Sequence, residues 1–402
     1  MQYSEASRVS QDDSLARLDK STLVYSVVFF AFLVPAHYAV SSTIYNLWRY
    51  AVIGIGLVCI ALYMIRSNIT VRWLSFVIAV VTYYLLSLLL GRTEGNIRLA
   101  IFYTIKLCGF VSLFEYGMSA NRDKCIKGLL IASVVGCSIH YYTFLKYRYL
   151  TLGMRSIGID LVGELTVHPW FYFTHDNGSV FYFLPTLSMI WYCAKKNEHS
   201  VLFPLGASIL VLYMYWSLWT VSAMVVTLLA TMSFLLIWYG KLGKLKSGVS
   251  LNLVLILGLM CCTAILLAYS DDRIVSLALR FGKDLVAGRG RIWVRAIPVI
   301  IENPLLGVGF ELDQITVFRL TINHCHNIIL QILYTGGVVS AIPFLIAVMN
   351  CDANRTNDEF SSKGQLFLKC TIFLLIIAST FDWYLYMPLQ FVPYMLHSYT
   401  TR

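Results

Sequence analysis

The sequence has few charged residues. Asp, Glu, Lys and Arg make up 13% of its 402 residues, against about 25% in soluble globular domains. Hydrophobic residues make up 58%, and apolar runs of about 20 residues, long enough to cross a bilayer as helices, recur along the chain. Because backbone polar groups in lipid must bond to one another, helices are the expected spanning elements. The composition argues against a soluble domain and predicts an all-α, polytopic membrane bundle.

Two further absences narrow the class of protein. The ten cysteines include no Cys-x-x-Cys pair, which argues against a zinc site and against a disulfide framework. Most of them lie in apolar runs, where cysteine acts as a small packing residue. The stretch 1–20 is polar, and no small-residue cleavage site follows the first apolar run, so we expect a retained span and no cleavable signal peptide.

Hydropathy predicts about twelve transmembrane helices. The predicted spans are 22–41, 50–65, 73–91, 99–119, 128–146, 178–194, 200–217, 220–239, 250–269, 327–349, 366–382 and 385–398. The sequence shows no internal repeat, which disfavours a carrier built from duplicated halves.

Lysine and arginine in the short loops predict the orientation of the chain. With the N-terminus in the cytoplasm, every inside segment carries at least one cation, and both termini are cytoplasmic. The predicted organisation is a cytoplasmic tail at 1–21, a membrane bundle at 22–269 with an outer loop at about 147–177, a large extracytoplasmic loop at 270–326, and C-terminal membrane helices at 327–402.

The large outer loop collects positive charge where the topology rule would disfavour it. Between Arg273 and Arg295 it holds six cations and one acid, Asp284. A guanidinium group can grip phosphate oxygens through two parallel hydrogen bonds, so the cluster indicates a site for a lipid-linked phosphate or diphosphate. An amphipathic helix lying on the lipid headgroups explains the same charges equally well.

Histidines stand where this loop re-enters the membrane. A neutral His326 can take a proton from an attacking hydroxyl near neutral pH, and Asn327 can orient the ring or bond a sugar. Interfacial packing is the alternative role for a histidine at this position. His324 and Cys325 lie beside it, but no third and fourth ligands stand at useful spacing, so we expect no metal.

The same residues resemble the C-terminal region shared by bacterial O-antigen polymerases (Wzy) and O-antigen ligases (WaaL). The matching residues are Gly288, Arg289 and Trp293, the stretch 303–309 that reads NPLLGVG, His326 and Asn327, and Gly336 and Gly337. Weaker similarity occurs upstream at Arg155, Asn177 and Pro185. One departure is Ala223 after Ser222, where the ligases typically carry Ser-Arg, and this favours a polymerase over a ligase.

The resemblance implies a metal-independent glycosyltransferase with a GT-C-like membrane fold and no cofactor. Its donor would be an undecaprenyl-pyrophosphate-linked oligosaccharide, and its acceptor another lipid-linked repeat unit or a lipid A-core sugar. It would work in the bacterial inner (plasma) membrane, facing the periplasm or exterior, with a chain-length regulator as an optional partner. No nucleic acid is expected, because the net charge of +10 is spread over the inside loops. A lipid-linked oligosaccharide flippase or transporter is the rival function.

The resemblance also assigns roles to individual residues. His326 would be the catalytic base, and Arg289 would hold the departing pyrophosphate. The predicted substrate-binding residues are Arg155, Arg280 and Arg291 for the phosphates, Asn327 and Trp293 for the sugar, and Gly307 and Gly309 for close approach of the backbone. The two glycines would also let the backbone turn tightly, and Pro304 would end the helix before it. In the alternative interpretation these residues form only a structural turn.

Overall fold

The chain is described from a computed structural model. The described residues are 19–35, 42–86, 89, 97–147, 155–159, 165–169, 172, 174, 177–218, 220–240, 250–268, 289–310, 315–317, 320–322, 324–349, 359–380 and 385–399.

Helices dominate the described part of the chain. In chain order they are α1 Lys20–Phe32, α2 Ser42–Arg66, α3 Val71–Val81, α4 Ile97–Ala120, α5 Arg122–Tyr147, α6 Val180–Lys196, α7 Leu202–Leu218, α8 Val221–Trp238, α9 Leu251–Ala268, α10 Arg289–Glu302, α11 Ile328–Met349, α12 Glu359–Ala378 and α13 Val392–His397. A π-helical turn, Thr82–Leu86, extends α3, and short 3-10 turns occupy Asn177–Ser179 and Pro388–Phe391.

Membrane-crossing length is reached by five of the described helices, namely α2, α4, α5, α8 and α11. Shorter apolar stretches accompany them: α1, α3 with its π-turn, α7, Leu251–Ala264 within α9 and Gly364–Ala378 within α12. Each of the first eleven predicted spans overlaps one helix. The prediction of a multi-pass helical membrane protein is therefore confirmed, while the GT-C-like arrangement stays a prediction.

The last predicted span, 385–398, is wrong as a spanning helix. It forms the 3-10 turn Pro388–Phe391 and then α13, which has six residues. Pro388 and Pro393 each remove a backbone amide donor, which disfavours one continuous helix through both positions. The segment nevertheless lies inside the bundle, where Tyr386 stacks on Tyr103 of α4 at 5.1 Å between ring centroids.

Two small β-hairpins lie in the predicted outer loops and were not anticipated by the all-α prediction. Strands β1 (Arg155–Ile159) and β2 (Leu165–Pro169) pair antiparallel, with Arg155 opposite Pro169. Strands β3 (Ile315–Val317) and β4 (Leu320–Ile322) pair in the same way. The β-branched residues in each strand suit a pleated, half-buried surface, and hydropathy analysis does not detect strands this short.

Small residues bring neighbouring helices of the bundle into close contact. A Cβ added to Gly109 of α4 would come within 2.5 Å of the Cα of Gly56 in α2. A Cβ added to Gly128 of α5 would come equally close to Tyr25 of α1. Without a hydrophobic driving force between helices in lipid, such backbone-to-backbone packing is the main source of association.

One end of the bundle contains both ends of the described chain. Asp19, which precedes α1, forms an ion pair of 2.6 Å with Lys124 at the start of α5. The Tyr399 hydroxyl donates to Glu115 near the end of α4, also at 2.6 Å. Glu115 in turn accepts from Arg72 Nε, at the start of α3, at 2.9 Å. We call this the basal end.

The beginning of α11 lies at the opposite, apical end. The last turns of α11 lie near the basal end, since Ala347 lines a small cavity together with Arg72. Eleven residues before Ala347 along α11, Gly336 lies beside Tyr83 in the π-turn that extends α3. The two helices therefore run antiparallel, and His326, which precedes α11, lies far from the basal end.

Candidate active site

Helix α11 is broken at Gly337, and a loop fills the break. Gly337 has φ 60 and ψ −161, outside the helical region. In an unbroken helix the amides of Val338 and Val339 would donate to residues four positions earlier. Here they donate instead to the carbonyls of Pro304 and Leu305, at 2.9 and 3.1 Å.

The loop also donates hydrogen bonds to α11. The carbonyls released at Tyr334 and Thr335 accept hydrogen bonds from the amides of Val308 and Gly309, at 2.8 and 2.9 Å. Four backbone bonds thus join the loop 303–310 to α11, and we call this arrangement the clasp. It supplies partners to two amides and two carbonyls of α11 that the helix break would otherwise leave unpaired.

Glycine is required at two positions of the clasp. Gly307 has φ 65, and a Cβ there would come within 2.5 Å of the Tyr334 carbonyl oxygen. At Gly337, with φ 60, a Cβ would overlap the Leu305 carbonyl. The prediction that Gly307 lets the backbone turn tightly is confirmed, as is the prediction that α10 ends before Pro304. Close approach of Gly307 and Gly309 to a substrate stays a prediction.

A chain of buried side-chain hydrogen bonds connects α10 to the histidine segment. The Trp293 indole Nε1 donates to the Cys325 carbonyl at 2.8 Å. The Cys325 amide donates to the Gln331 Oε1 at 2.6 Å, and the Gln331 Nε2 donates to the Thr335 hydroxyl at 2.8 Å. This series of hydrogen bonds therefore runs from the helix that begins at Arg289, past His326, to the clasp.

The Trp293 ring itself is buried. It is 3% exposed and packs in an apolar cluster with Ile292, Ala296, Val308 and Leu330. The structure thus gives Trp293 a packing and hydrogen-bonding role between α10 and α11. The predicted stacking of this ring on a sugar stays a prediction.

His326 has a strained backbone. Its φ is 50, in the left-handed region that non-glycine residues rarely occupy. Such strain persists only where the surroundings impose it, and it clusters at functional sites. The imidazole is half-buried, and its centroid lies 3.7 Å from that of His324, with the rings tilted by 48°.

Asn327 caps helix α11. Its Oδ1 accepts from the amides of Ile329 and Leu330, at 3.0 and 3.1 Å, and the residue has no exposed surface. A side-chain oxygen at this position satisfies amides that have no partner within the helix. Asn327 therefore fixes the direction in which α11 leaves His326, and its predicted contact with a sugar stays a prediction.

Cys325 lies between the two histidines and is fully buried. Burial raises the pKa of its thiol, so the thiol stays protonated and is a poor metal ligand or nucleophile. Among the described residues, no group of three or more His, Cys, Asp and Glu side chains is arranged to hold a metal ion.

The structure describes the backbone positions of three of the four predicted arginines. Arg289 and Arg291 begin α10, and Arg289 precedes Trp293 by one helical turn, on the same side of the helix. Arg155 is the first residue of β1. Arg280 lies outside the described residues, as do the side chains of these other three arginines. Their contact with a phosphate stays a prediction.

Sequence reasoning missed several residues that build the site. Gln331 and Thr335 lie one helical turn apart on α11, a spacing that allows side chains to meet, but an apolar span gives no reason to select them. Phe310, directly after the clasp, packs against Tyr84 at 4.8 Å and Tyr103 at 6.0 Å between ring centroids. This aromatic cluster anchors the loop to α3 and α4.

The fold and site together define a polytopic helical membrane protein with a strained histidine at the apical start of a broken helix. Residues 188–345 match the family model described as Wzy_C, O-Antigen ligase. This segment is therefore similar to the O-antigen ligase family domain, and the predicted family resemblance is confirmed. The match includes α10, the clasp and His326, and it indicates a membrane enzyme of O-antigen ligation or polymerisation. No curated protein and no solved structure matches the chain.

Proposed function

We propose that the protein is a membrane glycosyltransferase that polymerises undecaprenyl-pyrophosphate-linked oligosaccharide repeat units into O-antigen or capsular polysaccharide. The observation that carries the proposal is the left-handed backbone of His326, at φ 50, next to a capped helix start. Strain of this kind costs about 1–3 kcal/mol and is retained where function requires a fixed side chain.

His326 acts as the general base. Its imidazole takes the proton from the acceptor sugar hydroxyl while the hydroxyl oxygen attacks C1 of the donor sugar. The bond between C1 and the diphosphate oxygen breaks, and its electron pair leaves with undecaprenyl pyrophosphate. General-base assistance contributes about a hundred- to ten-thousandfold to such steps.

Arg289 stabilises the charge that develops on the departing diphosphate. The hydrogen bond of 2.8 Å from Trp293 to Cys325 couples the first turns of α10 to the residue before His326. This coupling supports a base and a cation on two sides of one reaction space, as an inverting transfer requires. Arg291, Arg155 and Arg280 are further candidates to bind the phosphates. Fixed cations stabilise developing charge best in a partly dry cavity.

The orientation follows from the two ends of the bundle. The described termini lie at the basal end, which also carries Arg66, Arg72 and Lys124 and therefore faces the cytoplasm. The apical end, with His326, then faces the periplasm or exterior of a bacterial inner membrane. The lipid-linked donor reaches it from the outer leaflet.

O-antigen ligation, which transfers finished polymer to lipid A-core, is the second candidate function. It is favoured by the description of the matched family model, which names a ligase. Polymerisation is favoured by Ala223, which follows Ser222 where the ligases carry arginine. The chemistry at His326 and Arg289 is the same in both cases, and only the acceptor differs.

Deletion of the gene separates these functions. We expect the surface polysaccharide of the deletion strain to shrink on a gel to one repeat unit on the lipid core. Bare core with accumulated lipid-linked polymer would identify a ligase instead. Loss of all surface polysaccharide, with lipid-linked repeat units retained on the cytoplasmic leaflet, would identify a flippase and contradict the proposal.

Two matched pairs of variants test the catalytic residues in the complemented deletion strain. We expect His326→Ala to lower polymer formation by about a hundredfold or more, while His199→Ala, an exposed histidine at the basal end, has no effect. Arg289→Lys keeps the charge but loses two-pronged binding, so it should also lower activity. Arg295→Lys changes an exposed residue of the same helix and serves as its control. Normal polymer from His326→Ala would refute the base assignment.

A further inference from the structure

Two adjoining cavities lie at the basal end, far from the proposed reaction site. The first is a cleft of about 700 Å³ where the α2–α3 and α4–α5 connections meet. The second is a groove of about 660 Å³ between α1, α2 and α4. Tyr116 lines both, so the two spaces adjoin. Each has the size of an ordinary small-molecule site.

The cleft carries a net positive charge. Arg66 and Arg122 line it, together with the single carboxylate Glu115. Glu115 is fully buried and forms an ion pair with Arg72, so its negative charge is already matched within the protein. The lining thus holds two cations and one carboxylate, a balance that favours an anionic ligand, and guanidinium groups suit phosphate oxygens in particular.

The groove is apolar over most of its length. Its walls include Val24 and Val28 of α1, Val58 and Leu62 of α2, and Leu113 of α4, while Lys20 stands at its basal end. From Gly54 to Leu62 the groove follows α2 for roughly 12 Å. Val24 and Val58 are more than half exposed, at 61% and 58%, so the groove opens toward the surrounding lipid.

We propose that the cleft and the groove together bind one anionic phospholipid of the basal leaflet. The phosphate headgroup occupies the cleft at Arg66 and Arg122, and an acyl chain lies in the groove along Val58 and Leu113. A basic pocket beside an apolar surface at the cytoplasmic end of transmembrane helices is the arrangement that selects anionic lipids. A lipid-linked substrate is the less suitable occupant, because its diphosphate reacts at the opposite, apical end.

Lipid binding to the purified full-length protein in detergent tests the proposal. We expect phosphatidylglycerol to raise the apparent melting temperature and to stay bound in native mass spectrometry, while phosphatidylethanolamine does neither. The Arg66→Gln/Arg122→Gln double variant should bind phosphatidylglycerol at least about tenfold more weakly. Lys196→Gln, which removes an exposed cation at the same end, should not change it.

A second variant pair tests the groove independently of charge. A Cβ added to Gly54 meets no atom within 4 Å, so Gly54→Leu fits and projects into the groove that Gly54 lines. It should displace the acyl chain and abolish the gain in melting temperature. Gly206 of α7 has the same open surroundings outside the groove, and Gly206→Leu should bind lipid normally.

Three outcomes would overturn the proposal. Equal stabilisation by phosphatidylethanolamine would remove the role of the anionic headgroup. The same shift with inorganic phosphate alone would make the cleft an anion site without a lipid. Stronger binding of undecaprenyl phosphate than of phosphatidylglycerol would assign the cavities to the carrier lipid.

Discussion

The amide of Val308 donates to the carbonyl oxygen of Tyr334 at 2.8 Å, the oxygen that an unbroken α11 would offer to its own residue 338. The loop 303–310 thus replaces a hydrogen bond that is missing inside helix α11. Together with the three other bonds of the clasp, this contact holds the apical part of α11 and the end of α10 in one arrangement.

Replacing Gly337 by alanine should disrupt the clasp. The left-handed conformation costs an L-residue about 1–2 kcal/mol, and the new Cβ would overlap the Leu305 carbonyl. We expect the free energy of unfolding to fall by more than about 2 kcal/mol, measured as a lower apparent melting temperature in detergent. Gly206→Ala, where a Cβ meets nothing within 4 Å, is the control. Equal melting temperatures for the two variants would contradict the role of the clasp.

The Trp293→Phe variant should distinguish the packing role of Trp293 from its role in positioning His326. Phenylalanine keeps most of the apolar contact but cannot donate to the Cys325 carbonyl, and a buried acceptor without its donor costs about 1–3 kcal/mol. Because Cys325 precedes His326, we expect kcat to fall while KM for the lipid-linked donor stays unchanged. The conservative control is Trp216→Phe, at a tryptophan that is 62% exposed. A rise in KM with normal kcat would point instead to contact between Trp293 and the donor.

Substitutions of Asn327 distinguish its capping role from substrate contact. Asn327→Ala removes the cap and should lower the free energy of unfolding by about 1 kcal/mol. Asn327→Asp keeps an oxygen for the amides of Ile329 and Leu330, so stability and polymer formation should both be retained. Circular dichroism melts and polysaccharide gels measure the two effects. A stable but inactive Asn327→Asp protein would show that the side-chain NH₂ group binds substrate.

For the buried ion pair at the basal end, we expect the loss of one charged partner to cost more stability than the loss of both. Arg72→Leu leaves the Glu115 carboxylate, whose side chain has no exposed surface, without its main cation and should cost about 3–5 kcal/mol. The double variant Arg72→Leu/Glu115→Leu should recover most of that loss, because no charge is then buried. Thermal unfolding in detergent measures both, and a double variant no more stable than Arg72→Leu would refute this account.

The sequence predicted the helices well and the site only in outline. Apolar length alone located eleven helices, because lipid leaves the backbone few alternatives. The sequence pattern also predicted the tight turn at Gly307 and the end of α10 before Pro304, because glycine and proline act on the local backbone conformation. It did not find the break at Gly337, because the break depends on contact with a loop distant along the chain. It did not find the bonds of Gln331, because an apolar span gives no reason to select one polar side chain. It also missed the bond from Trp293 to Cys325 and the cap that Asn327 forms on α11, while the predicted contacts of both residues with substrate stay predictions.

The exchange of hydrogen bonds between the loop 303–310 and α11 restricts how the enzyme can open. Lifting that loop away as a lid would take their partners from two amides and two carbonyls of α11, at a cost of about 1–3 kcal/mol for each group that stays buried. For the proposed glycosyltransferase, we therefore expect the lipid-linked glycan to reach His326 while the clasp stays closed. The backbone position of His326 would then be the same throughout the reaction.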